Sequence, residues 1–244
     1  MREDTMNRIR RLRGQGGVVG AALVIAVFIS GVALSSYAAD DRQEAEQLVE
    51  KAKFTLDDFM SDKNMEAFHD FIRRAKGIYI APQVLKGAFI VGASGGTGVL
   101  LAWDEKQKSW AGPAFDTVGG ASFGFQIGGQ ASEVILLAMT DRGVTSLLSN
   151  SLKLGADVGL AAGPVGAGVA ASSANLSADI LSFARSKGLY GGVSLDGAVM
   201  AVRGSLNDAY YGRKVTPTDI LVRREVSNPR SAGLLGAVRK ATGR

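Results

Sequence analysis

Two serines in this 244-residue chain lie in the glycine pattern of hydrolase nucleophiles. Ser94 and Ser122 each have a glycine two residues before and two residues after. In hydrolases this pattern places the serine on a sharp strand-to-helix turn, and a histidine base activates it. Here the only histidine, His69, lies in a predicted helix, and with 32 glycines in the chain random placement alone gives about 0.3 such matches. Ser122 falls in a predicted strand and Ser94 in a predicted hairpin, so we assign no catalytic residue.

The sequence also predicts no metal ion and no cofactor. Asp57, Asp58 and Asp62 lie near a predicted helix end, without the spaced oxygen ligands and central glycine of a calcium loop. Cysteine is absent, which excludes disulfides, thiolate nucleophiles and cysteine-ligated zinc. No glycine-rich segment is followed by the Lys-Ser or Lys-Thr of a phosphate-binding loop.

Basic side chains at two predicted turns indicate a different chemistry. One group brackets a short strand predicted at residues 78–81, and the other precedes the string GLYGGVSLDG. Such cations can bind an anionic headgroup while a neighbouring leucine or tyrosine meets acyl chains. The alternative is that they are solvated or complement helix dipoles. The predicted lipid-contacting residues are Arg73, Arg74, Lys76, Leu85, Lys86, Arg185, Lys187 and Tyr190.

The N-terminal segment has the pattern of a secretory signal peptide. An arginine-rich start precedes an apolar run from Val18 to Leu34, and small residues follow at Ser36 and Ala38. We predict cleavage after Ala38, with an uncleaved membrane anchor as the alternative. The segment holds five arginines and two acidic residues, so its removal lowers the formal net charge from +5 to +2. This mild charge argues against a nucleic-acid partner.

Helical patterns come next along the chain. Apolar residues recur at helical spacing from Asp40 to about Met60, and a second helix, capped by Ser61, is predicted to end near Arg74. We expect both helices to pack on a sheet. The predicted organisation is a signal peptide (1–38), a helical segment (39–76), a β-rich core (77–225) and a basic C-terminal tail (226–244).

Glycine-studded strands dominate the core. The string GGASFGFQIGG, residues 119–129, alternates bulky and small residues as a strand with one buried face does. Glycines inside strands mark bends, bulges or close approach by a neighbour. The sequence therefore predicts a strongly bent antiparallel sheet or partly open barrel. Pro82 is expected to end the first strand, and residues 94–98 are expected to form a hairpin turn. Residues 134–139 are predicted to form a strand that is buried on both faces. Asp141 is predicted to cap a short helix.

Several strings occur in an order that resembles a known family. They are AKGIYIAP, Trp110 with Gly112-Pro113, FGFQIGGQASEVILLAMTDRG, SKGLYGGVSLDG, NDAYYG and TPTDIL. Together they resemble the SYLF lipid-binding domain over roughly residues 68–221. The resemblance implies an α+β domain that binds lipid. The residue pattern itself adds the N-terminal amphipathic helices described above and short C-terminal helices, predicted near residues 207–211 and 218–222. Some eukaryotic members prefer phosphoinositides and some bind actin. Glu133 stands where an acidic residue is common in the family.

These observations lead to one expected function and two alternatives. The expected function is that of a non-enzymatic lipid-binding protein, exported to the periplasm or envelope, which contacts phospholipid or other anionic headgroups at a membrane surface. The first alternative is a structural or protein-interaction module of the envelope, which would bind actin if the chain is eukaryotic. The second, a serine hydrolase, is disfavoured. Neither a cofactor nor nucleic acid is expected.

Overall fold

Two helices begin the part of the chain that the computed structural model describes, which comprises residues 40–88, 91–123, 128–166, 178–186, 189–190 and 195–244. The first helix, α1, covers residues 40–61, and α2 covers Glu66–Ile72 after a 3-10 turn at Lys63–Met65. The carboxylate of Asp62, rather than the predicted Ser61, caps this turn by accepting a hydrogen bond from the Asn64 amide. The predicted signal peptide lies outside the described residues. No described helix is both long and apolar enough to cross a bilayer.

The described part of the core contains nine strands and three further α-helices. A short π-helix and a second 3-10 turn occupy Asp219–Arg223 and Pro229–Ser231. The helices are α3 (Asp141–Leu147), α4 (Gly204–Tyr211) and α5 (Ala232–Thr242). The strands are β1 (Gly77–Ala88), β2 (Val91–Asp104), β3 (Ser109–Phe123), β4 (Gly128–Ala138), β5 (Ser151–Lys153), β6 (Leu160–Ala162), β7 (Ile180–Ser186), β8 (Leu189–Tyr190) and β9 (Val199–Val202).

The strands form one strongly curved sheet, which confirms the predicted α+β fold with a bent sheet or partly open barrel. The order is β5-β9-β3-β2-β1-β4-β7-β6, with β8 paired to β7. Every strand pair is antiparallel except β6 with β7, which the sequence did not predict. The two terminal strands of this order, β5 and β6, are joined by residues 154–159 alone, so the sheet edges lie within about 25 Å of each other.

Both faces of the central strands are buried. On one face Ile80, Val99 and Ile135 pack with apolar residues of α1, α2 and α5. On the other face Tyr79 and Leu100 belong to a second core that includes residues of α3 and of the π-helix. The predicted two-sided burial of residues 134–139 is confirmed for residues 134–138, whose side chains are fully buried. Met139 follows the end of β4 and is only half-buried. Strands of this kind do not show alternating apolar and polar residues in their sequence, because neither face meets water.

The first strand is longer than predicted. Pro82 does not end it, because β1 continues to Ala88 and takes up Pro82 at an irregularity, where its register with both neighbouring strands shifts. Proline lacks the N–H that a regular ladder needs, and a bulge tolerates this loss. Residues 94–98 lie inside β2 and not in a hairpin turn. The string at 119–129 belongs to the end of β3 and the start of β4, while residues 124–127 lie outside the described chain.

The ends of two further helices also differ from the prediction. Thr140, and not Asp141, caps α3, since its hydroxyl oxygen accepts a hydrogen bond of 3.0 Å from the Gly143 amide. The C-terminal segment predicted as a basic tail contains α5, whose residues Leu234 and Val238 are buried in the core. The short helical turns predicted near residues 207–211 and 218–222 are present as α4 and the π-helix.

Close backbone approach explains two of the strand glycines. A Cβ atom on Gly96 would lie 2.2 Å from the Gln83 carbonyl oxygen, and one on Gly98 would lie 2.4 Å from that of Ile80. Both contacts fall beside the bulge in β1, where the extra residue pushes the backbone of β1 towards β2. These glycines therefore shape the sheet, as the sequence predicts.

Gly98→Ala should destabilise the protein by about 3 kcal/mol, because the added methyl group meets both the Ile80 carbonyl and the Tyr79 ring. Gly236→Ala is the matched control, since its Cβ would approach no described atom closer than 4.0 Å and it lies within α5. The control should gain about 0.5–1 kcal/mol from its higher helix propensity. Urea denaturation measures both changes, and equal stabilities of the two variants would contradict the close-approach explanation.

Candidate functional site

The predicted lipid-contacting residues divide between the two ends of the sheet. Lys76 directly precedes the 12-residue strand β1, and Lys86 lies near its far end. At about 3.3 Å per residue, these two positions are about 30 Å apart. The sequence predicts a strand of only four residues between them, residues 78–81, which would allow both lysines to contact one headgroup. Lys187 lies outside the described residues, and Tyr190 pairs through its backbone with Arg185.

Arg185 is held in an ion-pair network between the sheet and α1. Its guanidinium lies 2.6 Å from Glu133 Oε2 on β4 and 2.8 Å from Asp58 Oδ2 on α1. Thr55 donates a hydrogen bond of 3.4 Å to the other oxygen of Glu133. Burial alone lowers the pKa of Arg185, but its hydrogen bonds to the two carboxylates outweigh this effect and raise it. The network gives Glu133 a structural role, which the sequence alone could not assign.

The remaining predicted residues differ in how free they are to bind a ligand. Lys76 donates a hydrogen bond of 2.8 Å to Asp141, so its charge is partly neutralised. Arg73 and Arg74 follow the last residue of α2 and are exposed. Leu85 is 55% exposed on the face of β1 opposite to Lys86. Arg73 and Arg74, together with Lys86, form no ion pair with a described carboxylate.

The three aspartates weighed as metal ligands have other partners. Asp57 accepts from Lys53 at 2.7 Å, Asp58 accepts from Arg185, and Asp62 caps the turn before α2. Over the described ranges, no group of three or more histidine, aspartate or glutamate side chains is placed to hold a metal ion.

The residues of the possible serine hydrolase site do not meet. His69 Nε2 lies 3.1 Å from the Phe59 carbonyl oxygen, which fixes the ring against α1. The Ser94 hydroxyl lies within β2 and donates to the Gly120 carbonyl at 3.4 Å, and Ser122 lies in β3. Neither serine is on a strand-to-helix turn, so the geometry that activates a nucleophile is missing at both positions.

One buried acid was not singled out by the sequence. Asp116 lies in β3 and is 2% exposed, and its Oδ2 atom has no hydrogen-bond partner. The Tyr79 hydroxyl donates to its backbone oxygen at 3.1 Å and leaves the carboxyl group unpaired. Burial raises the pKa of Asp116 to about 7. Burial and the nearby Asp116 charge raise the pKa of Tyr79 as well. The sequence signal for this buried acid is an aspartate placed among the apolar residues of WAGPAFDTV.

Comparison with known proteins identifies the family of this chain. The Ysc84 family profile, described as "Las17-binding protein actin regulator", matches residues 119–241. The chain belongs to the Ysc84, or SYLF, family. This family match confirms the resemblance seen in the sequence strings.

Relatives in animals and yeast are longer than this chain and match it over only part of their length. The Homo sapiens "SH3 domain-containing YSC84-like protein 1" is 33% identical over 152 residues, which are 62% of this chain and 44% of the human protein. In Saccharomyces cerevisiae, "LAS seventeen-binding protein 3" is 31% identical over 159 residues, 64% of this chain and 34% of the relative. "Protein YSC84" is 31% identical over 169 residues, 67% and 36% respectively. The chain thus spans less than half the length of these curated relatives.

The description of the family and the name of the yeast LAS seventeen-binding protein 3 refer to binding or regulation and not to a reaction. This agrees with the expectation of a non-enzymatic binding module at the level of the family. In the structure, the family match begins inside β3 and runs through α5, so it includes the segment that the sequence analysis interpreted as a tail.

Arg185→Gln should lower the free energy of unfolding by about 2 kcal/mol, because Glu133 and Asp58 would remain beside each other without a cation. Arg213→Gln is the control, since it removes an exposed ion pair with Glu225 and should change stability by less than about 0.5 kcal/mol. Both changes can be measured by chemical denaturation. An Arg185→Gln variant as stable as the control would show that the network does not hold α1 on the sheet.

Asp116→Asn should change how stability depends on pH. The folded-state pKa of about 7 lies above the ordinary aspartate value of 3.8, so the folded protein keeps a proton that the unfolded chain releases. The wild type therefore loses stability as pH rises from about 4 to 7. The variant has no charge to bury and should exceed the wild type by roughly 4 kcal/mol at pH 8. Thermal melts between pH 5 and 8 test this, and parallel curves for both proteins would refute it.

Proposed function

We propose that this chain is a non-enzymatic lipid-binding protein that is exported and acts at an envelope membrane surface through phospholipid headgroup contacts. Export rests on the signal-peptide pattern of residues 1–38, with cleavage after Ala38. Lipid binding rests on family membership together with a surface property of the fold. That property is the observation that carries the proposal: exposed cations without carboxylate partners.

Arg73 and Arg74 are the main example of such cations. Both are exposed, and the Arg74 guanidinium lies 4.8 Å from the centre of the Phe71 ring, so a π face rather than a carboxylate supports it. Most other arginines of the described chain pair with acids, as Arg185 does. An unpaired guanidinium can donate several hydrogen bonds to a phosphate, which suits a lipid headgroup.

The glycine-rich end of the sheet offers a second, weaker contact. Leu85 is 55% exposed, and Lys86 follows it on the opposite face of β1. One apolar side chain and one ammonium group give little membrane affinity by themselves. We therefore assign these two residues an auxiliary role.

A protein partner is the second candidate function, and the family description favours it. Members of the matched family are described as Las17-binding actin regulators. The equivalent function here would be a protein-interaction module of the cell envelope, or an actin-binding module if the chain is eukaryotic.

The residue 39–244 chain should co-sediment with vesicles that contain phosphatidylglycerol at low ionic strength and should be released by 1 M salt. Salt shortens the screening length to about 3 Å, so headgroup attraction disappears while apolar insertion would persist. Phosphatidylcholine vesicles are the control for charge. Absence of binding to both vesicle types at low salt would exclude the lipid function.

A pull-down from envelope extract, with and without added vesicles, tests the second candidate. A single stoichiometric protein partner, retained when lipid is extracted by detergent, would favour the interaction module over lipid binding. Loss of all bound protein after detergent extraction would favour lipid binding.

A further inference from the structure

The C-terminal ends of α2 and α5 lie side by side and are both basic. Arg73 and Arg74 follow α2, and Arg239 and Lys240 occupy the last turn of α5. All four side chains are exposed. We call these four residues the basic end. Arg239 and Lys240 lie in residues 226–244, which the sequence predicts as a tail, so the sequence alone does not join them to Arg73 and Arg74.

Arg244 connects the two helix ends. Its guanidinium donates to the Ala75 carbonyl oxygen, directly after Arg74, and its backbone amide donates to the Arg239 carbonyl at 3.3 Å. The same guanidinium lies 4.7 Å from the centre of the Trp103 ring. Trp110 donates a hydrogen bond of 3.2 Å to Thr242 at the end of α5. These contacts fix the spacing of the basic end, so its four charges act as one surface.

The charge of this surface is not neutralised by its neighbours. None of the four side chains forms an ion pair with a carboxylate in the described residues. Two nearby acids are already engaged, Asp141 with Lys76 at 2.8 Å and Glu105 with Lys108 at 2.9 Å. Asp70 on α2 is exposed and forms no ion pair within the described chain. The basic end therefore carries an excess of positive charge.

We propose that the basic end is the face through which this chain docks on an anionic lipid bilayer. The inference rests on the proposed lipid function and selects one of the two ends of the sheet. Charge complementarity carries it, since each basic side chain near an anionic membrane adds to the attraction and four of them share one face. Level with the middle of β1, Arg185 is neutralised by Glu133 and Asp58. Among the predicted cations with a described side chain, this leaves Lys86 at the opposite end of β1.

Basic residues at helix C-termini also complement the helix dipole. This role accounts for their position but not for the alignment of two helix ends by Arg244 on one surface. It also makes a different prediction, because a dipole role changes stability and leaves membrane affinity untouched.

Intrinsic fluorescence can report which end meets the membrane without any substitution. The chain has two tryptophans, Trp103 and Trp110, and both contact the Arg244 side chain beside the basic end. The glycine-rich end of β2 lies about 35 Å from Trp103 along the strand. Vesicles of phosphatidylcholine and phosphatidylglycerol with a headgroup-attached nitroxide should therefore quench tryptophan emission of the bound residue 39–244 chain. Binding without quenching would place another face on the membrane and overturn the inference.

A matched pair of charge variants gives the second test. The variant R73Q/R74Q/R239Q/K240Q should lower the partition coefficient on phosphatidylglycerol vesicles about 100-fold, since each basic residue contributes several-fold. The control K51Q/K63Q/K153Q/K214Q removes the same charge from exposed lysines on other elements that form no ion pair within the described chain. It should lower the partition coefficient less than tenfold. Equal losses in the two variants would show that only net charge matters and would overturn the inference.

The outcomes separate the inference from the proposed function. Vesicle binding by the wild type, with quenching and with selective loss in the basic-end variant, supports both. Vesicle binding without these two signatures overturns the inference and leaves the lipid function standing. No wild-type binding removes the lipid function itself. Competition by millimolar inorganic phosphate that abolishes vesicle binding would indicate a soluble-anion site and would also overturn docking on a bilayer.

Discussion

Burial of the central strands on both faces is the constraint on which the rest of the structure depends. Helices α1, α2 and α5 cover one face, and the curvature of the sheet itself, with α3 and the π-helix, closes the other. Little of either central face is left for a partner. Polar and charged groups must then lie at the ends of the sheet, in the loops and on the outer surfaces of the helices. A binding partner such as a membrane must therefore contact the protein at one of these outer regions, and the two ends of the sheet are the main candidates.

The few polar side chains that do lie inside show how strict this constraint is. Asn207 is fully buried, and its amide both accepts from the Phe115 amide at 3.0 Å and donates to the Phe115 carbonyl at 3.3 Å. The Asn207 side chain thus makes the backbone hydrogen bonds that a neighbouring strand would make at Phe115, because β9 pairs with β3 only from Asp116 onwards. Asp116 is one of the few that lack this compensation, with one oxygen unpaired and a raised pKa. The contrast shows that burial is tolerated when hydrogen bonds replace water and costs stability when they do not.

Much of the fold could be predicted from the sequence because its signals are local. Helical spacing identified α1, an uninterrupted apolar run identified the buried part of β4, and strand glycines indicated a bent sheet. The length of β1 could not be predicted in this way. Whether a chain continues through Pro82 depends on a bulge that its partner strands must accommodate, and that is a property of three strands together. The C-terminal helix was missed for a related reason, since its apolar residues are few and gain stability only by packing on the core.

The candidate site shows the same contrast. The types of its residues can be read locally in the sequence, but their positions depend on contacts between distant parts of the chain. The sequence supplied the residue types correctly, but it placed Lys76 and Lys86 together because it shortened the strand between them. The sequence predicts Arg185 as a lipid contact because its ion-pair partners cannot be recognised there. Glu133 and Asp58 lie 52 and 127 residues away along the chain. Conversely, Arg239 and Lys240 could not be linked to Arg73 and Arg74 without knowing that α5 returns to α2. A charged surface assembled from two chain segments is visible only after folding, whereas the glycine strings that identify the family are contiguous. Family membership was therefore accessible from the sequence, and the location of the contact surface had to come from the fold.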